Sequence, residues 1–196
     1  MLVIKFGGTS VANAKNIKLV AEIVQQKKEI QKLIVVVSAC SGITDQLVLL
    51  THLVSDKNKE YKIKFSNLKE QHDTVIQELD LVHDEKLQKV IHKHFKHLET
   101  LLEGYFLLGD VQPKIYDAII GFGELLSSTI ISSFFAQKFN IENPFVDSRS
   151  LIVTDDNFGN ANVFYPETYQ HIEDYFQNSE KSLFVLPGFI ASSRNG

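Results

Sequence analysis

Apolar residues follow two rhythms along the chain. Apolar runs at Leu2–Phe6, with a single charge in it, at Leu33–Val37 and at residues 182–190 read as buried strands, the first on both faces as in a parallel sheet. Residues 151–154 read as a brief strand, and residues 140–149 as another ending in Asp147-Ser148-Arg149. Elsewhere apolar positions recur at helical spacing. Residues 12–32 carry Ile17, Val20, Ala21, Ile23 and Val24, and residues 46–54 carry Leu47, Leu50 and Val54. Residues 56–108 hold no strand-like run. Two long amphipathic helices are expected there, one stepping from Tyr61 through Leu68 to Leu79, the other from Leu87 through Phe95 to Leu102. They form a helical insertion that covers the sheet. Gly109-Asp110 marks a turn, and Pro113 opens the next helix. Residues 115–135 are apolar on most sides and so central, and residues 166–176 form a last helix. This alternation predicts an α/β protein: a three-layer αβα sandwich with a mainly parallel central sheet and right-handed crossovers.

The 196 residues suffice for one domain with a full core. A formal net charge of −4 points to neither a nucleic-acid nor a membrane surface. No apolar run is long enough to span a membrane, and the N-terminus lacks a signal-peptide layout. Cys40, the single cysteine, cannot form an internal disulfide, which fits a reducing cytoplasm. After the strand at 182–190 the chain enters a polar, glycine-bearing loop, so it is expected to be the front part of a longer protein.

The first strand ends in Gly7-Gly8-Thr9-Ser10. Glycines let a ligand approach the backbone, and Thr and Ser are good helix N-caps. Strand, glycine turn and helix N-terminus together make an anion site, on which Lys5 can place its ammonium. The alternative is a plain strand-to-helix turn. A lysine in a buried strand needs a partner, which favours the phosphate-binding reading. The stretch matches neither the P-loop nor G-x-G-x-x-G. The strand at Leu33–Val37 ends in a second small-residue loop, from Ser38 to Asp45, at the same carboxyl edge, where open α/β sheets bind ligands. Ser38 and Thr44 there serve either turn hydrogen bonds or a site. Gly121 and Gly123 lie in the middle of the central helix, where glycine is costly, and imply a close approach of backbone or ligand. Glu124 is the only charge between Asp117 and Lys138 and needs a cation, either an internal salt bridge or the ammonium of a substrate. No base motif accompanies Cys40, so it reads as a core thiol. His92, His94 and His97 do not share one face and read as an exposed cluster, with no metal site.

KFGGTS at residues 5–10, VVVSACSGITD at 35–45, GFGELLSS at 121–128, VDSR at 146–149 and LPGFIASS at 186–193 occur in this order. Together they resemble the catalytic domain of the aspartate kinases, within the amino-acid kinase family. The resemblance implies ATP- and Mg2+-dependent phosphorylation of the β-carboxylate of L-aspartate, the entry step to lysine, threonine and methionine. It implies that Lys5 offsets charge on the transferring phosphoryl group. Gly7, Gly8, Thr9 and Ser10 would hold the terminal phosphates. Ser38, Thr44 and Phe189 would lie beside the aspartate, with Glu124 on its ammonium. One departure is Leu125, where many members have Arg. In the family, the arginine for the substrate α-carboxylate, most of the nucleotide pocket and the dimerising ACT domains come after the stretch matched here. Residues 1–196 would then be inactive alone and the whole protein a homo-oligomer. Some members also carry a homoserine dehydrogenase, and this sequence leans that way. The rival readings are a same-fold kinase acting on glutamate, acetylglutamate, carbamate or a nucleoside monophosphate, and a binding domain without turnover.

Overall fold

The computed structural model describes residues 1–109 and 112–195. Three strands, β1 (Leu2–Phe6), β2 (Leu33–Val37) and β4 (Leu183–Pro187), form a parallel sheet in the order β1-β2-β4. A short parallel pair, β3 (Val153–Thr154) and β5 (Ser192–Ser193), stands apart. The helices are α1 (Ala14–Lys28), α2 (Ile43–Ser55), α3 (Tyr61–Glu78), α4 (Glu85–Leu108), α5 (Pro113–Ile120), α6 (Phe122–Phe139) and α7 (Tyr165–Gln177).

Alternation along the strands gives the sheet two cores. Leu33, Val35, Val37, Leu183 and Val185 join the large cluster made with α1 to α6. Ile34, Phe184 and Leu186 join a smaller one with Val146, Leu151 and Phe176 of α7. Helices, sheet and α7 are therefore the three layers expected. β2, in the middle, is apolar on both faces because both are covered. Pro113–Phe139 is long and apolar enough to cross a membrane by composition, but 94% of its apolar window is buried inside the protein, so it serves as the core helix pair.

Several expectations need correction. β1 is not buried on both faces: Val3 is 60% exposed and Lys5 is exposed, because α7 covers the face of β2 and β4 but not that of the edge strand. Thr9 and Ser10 do not cap α1. They lie in a 3-10 turn (Gly8–Val11), and Asn13 caps the helix, its side chain accepting from Asn16 N at 3.0 Å. Residues 140–149 form no strand beyond a single bridge from Phe145 to Val185. The Asp147 side chain caps a 3-10 turn (Ser148–Ser150) and ends the pairing, as Asx side chains do. The expected helix at 115–135 is two helices, broken at Gly121. Gly109 ends α4 at φ 80, whereas Asp110 lies outside the described residues.

Candidate active site

The three strands end together. In register, Phe6 faces Val37 and Val37 faces Pro187. The ladder continues past them through Ser38 N donating to Phe6 O at 3.2 Å and Gly188 N donating to Val37 O at 2.8 Å. Three loops therefore leave one edge: Gly7-Gly8 after β1, Ser38-Ala39 after β2 and Gly188-Phe189 after β4. The first two touch, since a Cβ at Gly8 would lie 2.9 Å from the Ala39 carbonyl oxygen. Gly7 faces open space, and Asn16 Nδ2 fixes the turn by donating to Thr9 O at 2.7 Å.

Glu124 stands in the first turn of α6. The carboxylate reaches the β2 loop, where Oε1 accepts from Ala39 N at 3.3 Å. Its residue is 4% exposed, and Oε2 is buried with no hydrogen-bond partner. Burial raises the carboxyl above its ordinary value, against the opposing pull of the Ala39 N–H, the Lys5 ammonium and the Ser38 hydroxyl. Among the described residues Glu124 forms no salt bridge, and no hydrogen bond reaches Oε2, from the nearby Ser38 hydroxyl or any other donor. Instead, one carboxylate oxygen is left without the donor that burial demands.

Lys5, Gly8, Ser38 and Glu124 are thus brought to one place. Thr44 lies half-buried in the first turn of α2, which opens from Gly42 at φ 76. Phe189 shares the edge but lines no enclosed pocket. The residue is 85% exposed, its φ is 66, and Ile190 N donates to Gly188 O at 2.8 Å across it. This is a γ-turn with a bulky residue in the left-handed region, a strained arrangement of the kind found at ligand sites.

Other candidates resolve into structure. Cys40 is buried, and burial pushes its thiol up to about 11, far from the thiolate a nucleophile needs. His92 and His97 are exposed and His94 is half-buried, and the rings of His94 and His97 both stand edge-on to Phe122. No group of three His, Cys, Asp or Glu side chains among the described residues could hold a metal ion. Arg149 is spent on Asp147 in a partly exposed pair at 2.6 Å. Sequence reasoning missed three tethers, the first two at the edge itself. Ser127 Oγ donates to Ser38 O at 2.8 Å, Ser148 Oγ donates to Pro187 O at 2.5 Å, and Asp117 accepts from Gly159 N at 2.6 Å. Each joins segments far apart in the chain, so no local pattern could reveal them.

The sequence profile of the amino acid kinase family matches residues 1–196. The chain belongs to this family. Among similar family members, the bifunctional aspartokinase/homoserine dehydrogenase 1 of Arabidopsis thaliana is 27% identical over 193 residues. The match takes in 96% of this chain and 21% of that protein. The aspartokinase of Chlamydia trachomatis is 30% identical over 195 residues, covering all of this chain and 41% of its own. Aspartokinase III of E. coli, solved in complex with lysine and aspartate, superposes with a TM-score of 0.85 at 24% identity. That likeness covers 99% of this chain and 42% of the neighbour, and it establishes the amino-acid kinase fold. The chain therefore spans roughly a fifth to two fifths of the length of these relatives.

Proposed function

We propose that the whole protein transfers the γ-phosphoryl group of ATP to the β-carboxylate of L-aspartate, giving 4-phospho-L-aspartate and ADP. One observation carries this reading: the buried, unpartnered Oε2 of Glu124 at the carboxyl edge of the sheet. A free amino acid brings an ammonium group that would supply the missing donors and neutralise the charge. Names of relatives support the same acceptor, and an E. coli aspartokinase III has been solved with aspartate and ADP.

In this reading the exposed Lys5 ammonium and the open turn of Gly7, Gly8, Thr9 and Ser10 receive the terminal phosphates. Ser38 and Thr44 offer hydroxyls to the aspartate, and Phe189 closes over it. The β-carboxylate is already ionised, so no general base is needed. Its oxygen forms the new P–O bond as the bond to the ADP oxygen breaks. Positioning and charge stabilisation supply the rate. Mg2+ would enter with the nucleotide, held by phosphate oxygens. We read residues 1–196 as the N-terminal part of the kinase domain, with 56–108 as a helical insertion. The buried lone thiol fits a cytoplasmic setting, and a homo-oligomer follows from the family resemblance.

The test is ATP turnover with trapping of the acyl phosphate by hydroxylamine, run on the full-length protein and on residues 1–196. Aspartate-dependent hydroxamate from the full-length protein alone is expected, lost in Lys5→Ala and Glu124→Ala with the fold retained. Turnover only with glutamate, acetylglutamate, carbamate or a nucleoside monophosphate overturns the substrate. Tight nucleotide or aspartate binding with no turnover by the full-length protein favours a binding domain instead.

A further inference from the structure

One peptide group is gripped from both ends by α6. The carbonyl of Ser38 accepts from Ser127 Oγ at 2.8 Å, while the next N–H, that of Ala39, donates to Glu124 Oε1 at 3.3 Å. A trans peptide points its C=O and N–H in opposite directions, so these two bonds fix its rotation between them. Both grips come from one face of the helix, because residues three apart are neighbours there. Ser127 is buried, and its hydroxyl is shared with Glu124 O at 3.1 Å. Gly123 permits the approach, as a Cβ there would lie 2.8 Å from the Ala39 Cβ.

We propose that Ser127 is a positioning residue for the phosphoryl acceptor. By holding the Ser38–Ala39 peptide, it aims the Ala39 N–H at Glu124 Oε1, so that Oε2 is left as the oxygen that takes the substrate ammonium. The same bond fixes the backbone from which the Ser38 hydroxyl projects. The last step of this proposal rests on the reading of Glu124 given above. The neighbour Ser128 supplies the control. It too is buried, and its hydroxyl donates to Glu124 O at 2.6 Å within the helix, but it does not reach the β2 loop. A purely structural hydroxyl in α6 should behave like Ser128.

The experiment compares Ser127→Ala and Ser128→Ala in the full-length protein. Two readouts are taken: KM and kcat for aspartate and ATP, and the titration of the Glu124 carboxyl by 13C NMR, with its signal assigned through Glu124→Gln. For Ser127→Ala, KM for aspartate should rise on the order of tenfold, the value of one ordinary hydrogen bond. KM for ATP should hold, and the Glu124 titration should move to higher pH as the Ala39 N–H loses its aim. Ser128→Ala should move neither. The proposal is overturned if the two variants behave alike, or if Ser127→Ala leaves the titration unchanged. Should Ser127→Ala shift the titration while Glu124→Gln leaves aspartate KM untouched, the positioning stands and the ammonium assignment fails.

Discussion

Gly123 faces Ala39 across a gap that admits no side chain: a Cβ on the glycine would lie 2.8 Å from the alanine Cβ, with Leu47 Cδ1 at 3.4 Å behind it. Alanine is the better helix former by about 1 kcal/mol. Overpacking a full core costs typically about 1–3 kcal/mol, and here the clash should win. Gly123→Ala should therefore lower the urea midpoint of unfolding. It should also raise KM for aspartate, because α6 must back away from the loop that Glu124 reaches.

Glu124 links pH to stability and to activity in opposite senses. Burial raises its folded-state value above the unfolded one, so the folded chain holds the proton more tightly. Its contribution to stability is largest below the unfolded value and falls as pH rises through the folded value. Glu124→Gln should abolish that fall in a series of urea midpoints against pH. The proposed reaction needs the ionised carboxylate, so KM for aspartate should rise as the medium is acidified through the same range.

His72 in α3 has the reverse dependence. Its Nδ1 lies 2.8 Å from Leu68 O, its ring meets Phe95 edge-on, and Nε2 is buried without a partner among the described residues. Burial holds its value below that of a free histidine, against the raising pull of the Leu68 carbonyl and Asp73. The unfolded chain then binds the extra proton more readily. Stability should be complete above the unfolded value and lost as pH falls toward the folded one. His72→Leu should flatten that slope in helical circular dichroism melts.

Phe189 and Phe184 give opposite expectations for one residue type. Phe184 is wholly buried between sheet and α7, and its replacement by Ala should cost about 3–5 kcal/mol. Phe189→Gly removes an exposed ring from a strained φ. Relief of roughly 1 kcal/mol offsets glycine's added unfolded-state freedom, so the midpoint should barely move. Aspartate KM should nonetheless rise if the ring covers the substrate.

What could be read from the sequence follows the range of the forces involved. β2 and β4 were legible because both faces are buried, which forces an unbroken apolar run. α3 and α4 were legible from their stripes. β1 looked the same as β2, yet Val3 and Lys5 are exposed, since the edge of a sheet is set by which strands pair and not by one strand's composition. Glu124 stood out as a lone charge in an apolar helix. Ser127 did not, being one of several similar hydroxyls in α6, distinguished only by reaching a residue 89 positions away.

The middle place of β2 has a kinetic consequence. Its first neighbour, β1, is separated from it in the chain by one 3-10 turn and α1, whereas α2 to α7 lie between it and β4. Such a distant pairing closes a long loop and belongs to the slow part of folding. The helical layer can gather on one face of a two-stranded ribbon while the Val37 carbonyl still awaits Gly188. The expected outcome is that pulsed hydrogen exchange protects the Gly188 N–H after the amides of α3 and α4, so that the three loop ends meet late in folding.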